Sequence, residues 1–170
     1  MPAMAPARDQ QGQREQRSFL LQRAQPAMAG LLDGSLSTLA PIFAIAFATH
    51  QPHDAFVAGL ATAIGAGVSM AFSEGLSDTG DLTGRGRPYL RGAITGGGTF
   101  LGGILHTLPF LIPQYRLAVL IALMVIAFEL LALALIRRLF FGSGFLSSFV
   151  SITLGGVIIT TVSVALGAVR

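Results

Sequence analysis

Five apolar blocks constrain this chain more than any other feature. They fall at about residues 27–49, 54–76, 92–112, 117–136 and 145–168. Each is close to the length that crosses a bilayer core of roughly 30 Å. Only 11% of the residues are charged, less than half the share of about 25% found in soluble domains. Backbone groups in hydrocarbon must be satisfied within the segment, so blocks of this kind read as helices. The expected fold is an all-α integral membrane protein, a five-transmembrane-helix bundle over residues 18–170. Its size leaves no bulk for a second domain. Cysteine is absent, which excludes disulfides, thiolate sites and iron–sulfur clusters.

The connections between blocks are short and carry the orientation. Five spans put the N-terminal tail, the second connection and the fourth connection on one side. That side holds Arg8, Arg14, Arg17, Arg23, Arg85, Arg87, Arg91, Arg137 and Arg138, and the other holds only Arg116 and Arg170. The positive-inside rule then places the N-terminus in the cytoplasm and the C-terminus outside. The same asymmetry supports five spans, since merging or splitting one would destroy it. The pI near 10.6 is thereby an orientation signal, with no nucleic-acid partner implied. Residues 1–17 are polar and read as a disordered cytoplasmic tail. Residues 18–26, "SFLLQRAQP", read as a short amphipathic run at the membrane surface.

Glycine recurs at four-residue spacing in the third block, as Gly92 and Gly96 and as Gly98 and Gly102. Small residues at that spacing let helix backbones approach closely in lipid.

Ionisable groups inside apolar blocks are costly and mark candidate sites. Here they are Asp33, Glu74, His106 and Glu129, with Met70 as a soft neighbour. From the helical rise, Asp33 and Met70 each lie roughly 9 Å inside the cytoplasmic boundary, Glu129 about 12 Å and Glu74 roughly 3 Å. Asp78, Glu74 and Met70 are spaced by four along one helix face and draw a line from water inward. Bland readings stand beside these. Asp-Gly-Ser suits a helix N-cap at Asp33; a broken helix with the acid at the break, aided by Pro41, satisfies both readings. Glu129 can pair with Arg137 or Arg138. Met70 alone is core filler, Glu74 an interfacial acid, and His106 a satisfied polar group.

Carboxylates with a thioether suit a divalent transition metal, the sulfur tilting the choice toward Fe²⁺ or another softer ion. Metal binding at a carboxylate competes with protonation, so such an acid can couple the two. No P-loop, zinc-protease motif or serine–histidine arrangement is present, and an enzyme is not expected.

The segments "GLLDGSLSTLAPIFA", "AGLATAIGAGVSMAFSEGLSD" and "RGAITGGGTFLGGILHTLPFLIP" resemble the vacuolar iron transporter family. The likeness is greatest to the membrane half of bacterial membrane-bound ferritin-like (erythrin) iron exporters, and it runs from about Arg17 to the C-terminus. It implies a homodimer of five-span subunits in a bacterial inner membrane, exporting Fe²⁺ or Mn²⁺ in exchange for protons, with no resident cofactor. Asp33 matches the family's first-span aspartate, Met70 the second-span methionine and Glu74 the glutamate after it; Asp78 and Glu129 are added as helpers. Two departures stand out. The connection between the second and third blocks is too short for the helical metal-binding insert of the plant and protist transporters, and the tail is not a ferritin-like domain. Either transport proceeds without a metal-gathering module, or a separate protein delivers metal. Export of another divalent cation, or a non-transporting scaffold or regulatory subunit that keeps the fold, are the alternatives.

Overall fold

The computed structural model describes residues 7–81 and 83–168. Among these the protein is all helix, with no strand. The helices are α1 (Ala7–Phe19), α2 (Gln25–Ser37), α3 (Leu39–Thr49), α4 (Pro52–Gly75), α5 (Pro88–Leu105), α6 (Tyr115–Phe141) and α7 (Phe145–Ala168). A wide turn, Leu20–Ala24, joins α1 to α2, and a tight one, Leu108–Leu111, follows α5. Four helical stretches are long and apolar enough to cross a membrane: Gln10–Thr49, Pro52–Gly75, Tyr115–Phe141 and Phe145–Ala168. The third apolar block, folded as α5, falls outside that set, because its 18 residues include Arg91 and six glycines. Large apolar side chains such as Phe72, Phe128 and Leu154 point outward. An apolar exterior of this kind fits a membrane protein, with lipid as its solvent.

Prolines explain the two irregularities of the first helical run. Pro26 has no N–H to give the Gln22 carbonyl one turn earlier. The chain widens just before it, and the Gln25 N–H bonds the Leu20 carbonyl instead. Pro41 likewise crowds the Ser37 carbonyl. The helix breaks there, at Thr38, with stretched bonds of 3.5 Å from Thr38 N to Gly34 O and 3.3 Å from Ile42 N to Thr38 O. The break thus lies five residues beyond Asp33, which sits inside α2. The N-cap reading of Asp33 is corrected: its backbone is interior helix, and the proline, not the acid, sets the break.

The tail is also corrected. Residues 7–17, expected to be disordered, are helical in α1; residues 1–6 lie outside the described residues. Alanine, glutamine, arginine and glutamate are good helix formers. With α2 already formed, they extend a helix without a fresh nucleation cost.

α5 lies between α2 and α4, and its glycines make that possible. A Cβ on Gly102 would stand 2.6 Å from the Leu31 carbonyl oxygen and 2.9 Å from Ser35 N. Gly92 and Gly96, on another side of α5, press on the α4 backbone at Ala71 and Gly67. These are backbone-to-backbone contacts, so only the absence of a side chain permits them. α3 packs on α7, where Gly167 meets the Ala44 backbone. The ends of the bundle differ. At one, Gln22 of the wide turn bonds the Gly84 carbonyl at 3.3 Å and Phe19 of α1 packs at a tilt 6.4 Å from Phe140. The tail, the α4–α5 connection and the end of α6 therefore meet. At the other end His50 and Tyr115 pack 4.9 Å apart.

Candidate functional site

Two buried charge networks organise the interior. The first closes the end of α4. Arg91, the fourth residue of α5, is only 1% exposed at its side chain. Its Nε donates to Glu74 Oε1 at 2.8 Å, and its Nη1 lies 3.1 Å from Asp78 Oδ1. Nη2 reaches Ser77 Oγ at 3.3 Å and the Glu74 carbonyl at 3.5 Å. Arg85, a quarter exposed, donates to Glu74 Oε1 at 2.7 Å and to Asp78 Oδ2 at 3.3 Å. Two arginines thus balance two carboxylates. A guanidinium suits the place: its planar fork serves several acceptors at once, and a cation is favoured at a helix C-terminus. Gly80 and Gly86, both at positive φ, let the connection fold back over Arg91. Burial works to raise the Asp78 carboxyl pKa. Arg91, the Gly80 amide and Arg85 outweigh it and hold the group below its ordinary 3.8.

The second network lies deeper and joins three helical segments. Ser35 Oγ lies 2.7 Å from Glu129 Oε1, Glu129 Oε2 lies 3.0 Å from His106 Nδ1, and His106 Nε2 lies 2.6 Å from Thr38 Oγ1. Both hydroxyls also face a carbonyl one turn back, Ser35 to Leu31 and Thr38 to Gly34, each at 2.7 Å. His106 is fully buried and Glu129 nearly so. The Thr38 break is what turns the end of α2 toward His106, which follows the last residue of α5. Apolar clusters flank the network along the first helical run, Met28 with Leu130, Leu133 and Ile152 before it and Ile42 with Ala46, Phe110 and Ala122 after it.

Counting protons shows what this network can hold. The chain from the Leu31 carbonyl through Ser35, Glu129, His106 and Thr38 to the Gly34 carbonyl has five contacts, and each needs one proton. With zero net charge the four side chains carry four: one on each hydroxyl, one on Nε2, and one between Nδ1 and Oε2. Ser35 then donates to Glu129, Nε2 to Thr38 and Thr38 to Gly34, leaving only the Ser35–Leu31 contact without a proton. Every side chain keeps a partner, as burial demands.

The five residues expected to hold metal are therefore distributed as follows. Glu74 and Asp78 come together, through Arg85 and Arg91. Glu129 does not pair with Arg137 or Arg138, as one reading had it; Ser35 and His106 take its two oxygens. Those arginines lie eight and nine residues further along, near the C-terminal end of α6. Asp33 and Met70 are half-buried on α2 and α4, helices that α5 separates over most of their length. Among the described residues, no group of three or more histidine, aspartate or glutamate side chains is placed to hold a metal ion. Among the described residues Asp33 makes no hydrogen bond or ion pair, and the Ser37 hydroxyl one turn later on the same face is buried without a partner.

Sequence reasoning missed Arg91 and Ser35 as site residues and gave His106 only a generic role. The available signal was charge balance: a buried glutamate and a buried histidine in lipid each need a partner. Compared with family models, curated proteins and solved structures, the chain matches none.

Proposed function

We propose that this protein is a five-span transporter of the vacuolar iron transporter kind, with its N-terminus in the cytoplasm of a bacterial inner membrane, exporting Fe²⁺ or Mn²⁺ in exchange for protons. α5, the third block in chain order, completes the five spans, its low apolarity offset by burial between α2 and α4. The observation that carries the reading is Asp33. Of the four acids in the apolar blocks, Asp54 lies exposed in the first turn of α4 beside His53, Glu74 and Glu129 are neutralised by partners within the protein, and Asp33 is half-buried with no such partner among the described residues. An unpaired carboxylate inside a membrane helix must take a proton or a cation, and the two compete for it. Ser37 offers a second oxygen one turn away. Met70 is the soft selector and Glu74, with Asp78, the cytoplasmic mouth, reached once Arg85 moves aside. A homodimer brings a second Asp33 and Met70 to the ion, which suits a subunit without a complete ligand set of its own. Metal arrives directly from the cytoplasm or from a separate delivery protein.

The decisive experiment is ion flux into proteoliposomes, with and without a pH gradient, over Fe²⁺, Mn²⁺ and Mg²⁺. Asp33→Ala is expected to abolish flux, and Met70→Ala to reduce Fe²⁺ flux more than Mg²⁺ flux. Full Fe²⁺ flux in Asp33→Ala refutes the mechanism. A different divalent ion carried in preference points to the same mechanism with another cargo. Because Glu74 and Asp78 are already charge-balanced, a scaffold subunit is the second reading; it predicts no flux of any ion and no metal-dependent stabilisation.

A further inference from the structure

A groove of about 290 Å³ opens beside the wide Leu20–Ala24 turn, between the first helical run and the end of α6. Its walls are almost wholly apolar: Phe19, Ala27 and Leu31 on one side, Ile136, Phe140 and Phe141 on the other. Arg23 is the one charged residue in the lining, and it is exposed. Arg137 stands one turn before Phe141 on the same face of α6, as the i, i+4 spacing requires. Neither arginine makes an ion pair among the described residues. Glu15, which flanks Arg23, is bonded to Gln11 at 3.3 Å. The wide turn matters, because such insertions re-aim a helix face and recur at functional sites.

The order along the groove is that of an amphiphile. Apolar walls run down the membrane helices, and unpaired guanidinium groups stand at the end where the tail begins. We propose that this groove binds an anionic phospholipid, an acyl chain lying against Phe19, Leu31 and Phe140 and the headgroup phosphate held by Arg23 and Arg137. Charge complementarity selects this occupant. A zwitterionic lipid fills the apolar part equally well but brings its own cation to the arginines, whereas an anionic headgroup leaves the phosphate charge for them. Guanidinium also suits phosphate geometry better than a point charge does, and basic pockets at this membrane level favour anionic lipid heads. The site is independent of the transport reading and stands or falls without it.

The test uses the full chain, delipidated in neutral detergent and titrated with phosphatidylglycerol or phosphatidylcholine, with retained lipid counted by native mass spectrometry. One phosphatidylglycerol per protomer is expected, at least tenfold tighter than phosphatidylcholine. Glycerol phosphate, the headgroup without chains, is expected not to compete. At about 1 kcal/mol per arginine near the surface, Arg23→Gln or Arg137→Gln each weakens binding about fivefold and the pair about 25-fold, with phosphatidylcholine unchanged. Ala24→Trp, which fills the groove without touching charge, weakens both lipids. Equal affinity of the wild type for the two lipids overturns the proposal, and that comparison needs no variant to fold. So does unchanged phosphatidylglycerol binding in the folded double variant, or a groove occupied by a second copy, seen as a dimer that lipid leaves intact and Ala24→Trp dissolves.

Discussion

Replacing Glu129 by glutamine and by leucine separates what its charge does from what its hydrogen bonds do. In the neutral four-proton network, Glu129 accepts from Ser35 through Oε1 and shares a proton with His106 Nδ1 through Oε2. Glutamine reproduces this arrangement: its carbonyl accepts from Ser35 and its amide donates to Nδ1. The expected cost is below about 0.5 kcal/mol, the scale of one imperfect bond among those averaging about 0.6 kcal/mol in membrane helices. Leucine has similar bulk but no polar atom. Ser35 then loses nothing, because the Leu31 carbonyl stands 2.7 Å away. His106 Nδ1 is left without a partner in a fully buried ring, at about 1–3 kcal/mol. The same bookkeeping makes the double variant His106→Leu/Glu129→Leu milder than Glu129→Leu alone, since Thr38 keeps its bond to the Gly34 carbonyl at 2.7 Å and no group stays orphaned. Reversible unfolding in mixed micelles with increasing sodium dodecyl sulfate measures all three. If Glu129→Gln costs as much as Glu129→Leu, a fixed carboxylate charge is what matters and the shared-proton account fails.

Two further outcomes follow from the packing and from the Arg91 network. Gly102→Ala places a methyl group against the Leu31 carbonyl and Ser35 N, backbone that cannot yield, and is expected to cost about 3 kcal/mol. Gly97→Ala on the same helix meets nothing within 4 Å and is expected to be neutral or to gain up to about 1 kcal/mol; the same unfolding assay reads both. Asp78, whose folded pKa is held below 3.8, contributes stability that is complete above that ordinary value. The contribution is lost as pH falls through the depressed folded value. The melting-temperature gap between wild type and Asp78→Asn is therefore expected to be constant near neutrality and to close only below about pH 4; a gap that closes between pH 6 and 8 contradicts it.

The helices were legible because their signals are local. Apolar blocks of bilayer length, prolines at helix starts and the glycine spacing of α5 each act within a few residues. The tail was read as disordered because its polarity was weighed and its helix propensity was not. The partners of the buried charges were not legible, for a different reason. Ser35 and Glu129 are 94 positions apart, His106 and Glu129 are 23 apart, and Arg91 and Glu74 are 17 apart. No helical periodicity links residues on different segments; only the bundle's topology does.

Depth nonetheless carried part of that information. Glu129, placed by helical rise near the level of Asp33, does lie against α2, but at Ser35, half a turn beyond the aspartate. The difference decides its role. Turned toward Ser35 and His106, Glu129 is absorbed into a closed network at the Thr38 break, just as Glu74 is absorbed by Arg85 and Arg91 at the end of α4. The structure thereby compensates Glu74 and Glu129 at opposite ends of α5, the helix that holds the bundle together. What is left on α2 is a carboxylate without a partner among the described residues, one helical turn before the unpartnered Ser37 hydroxyl. Packing thus gives Glu74 and Glu129 partners and gives Asp33 none among the described residues. Under the proposed function, an ion that comes and goes supplies the partner that Asp33 lacks.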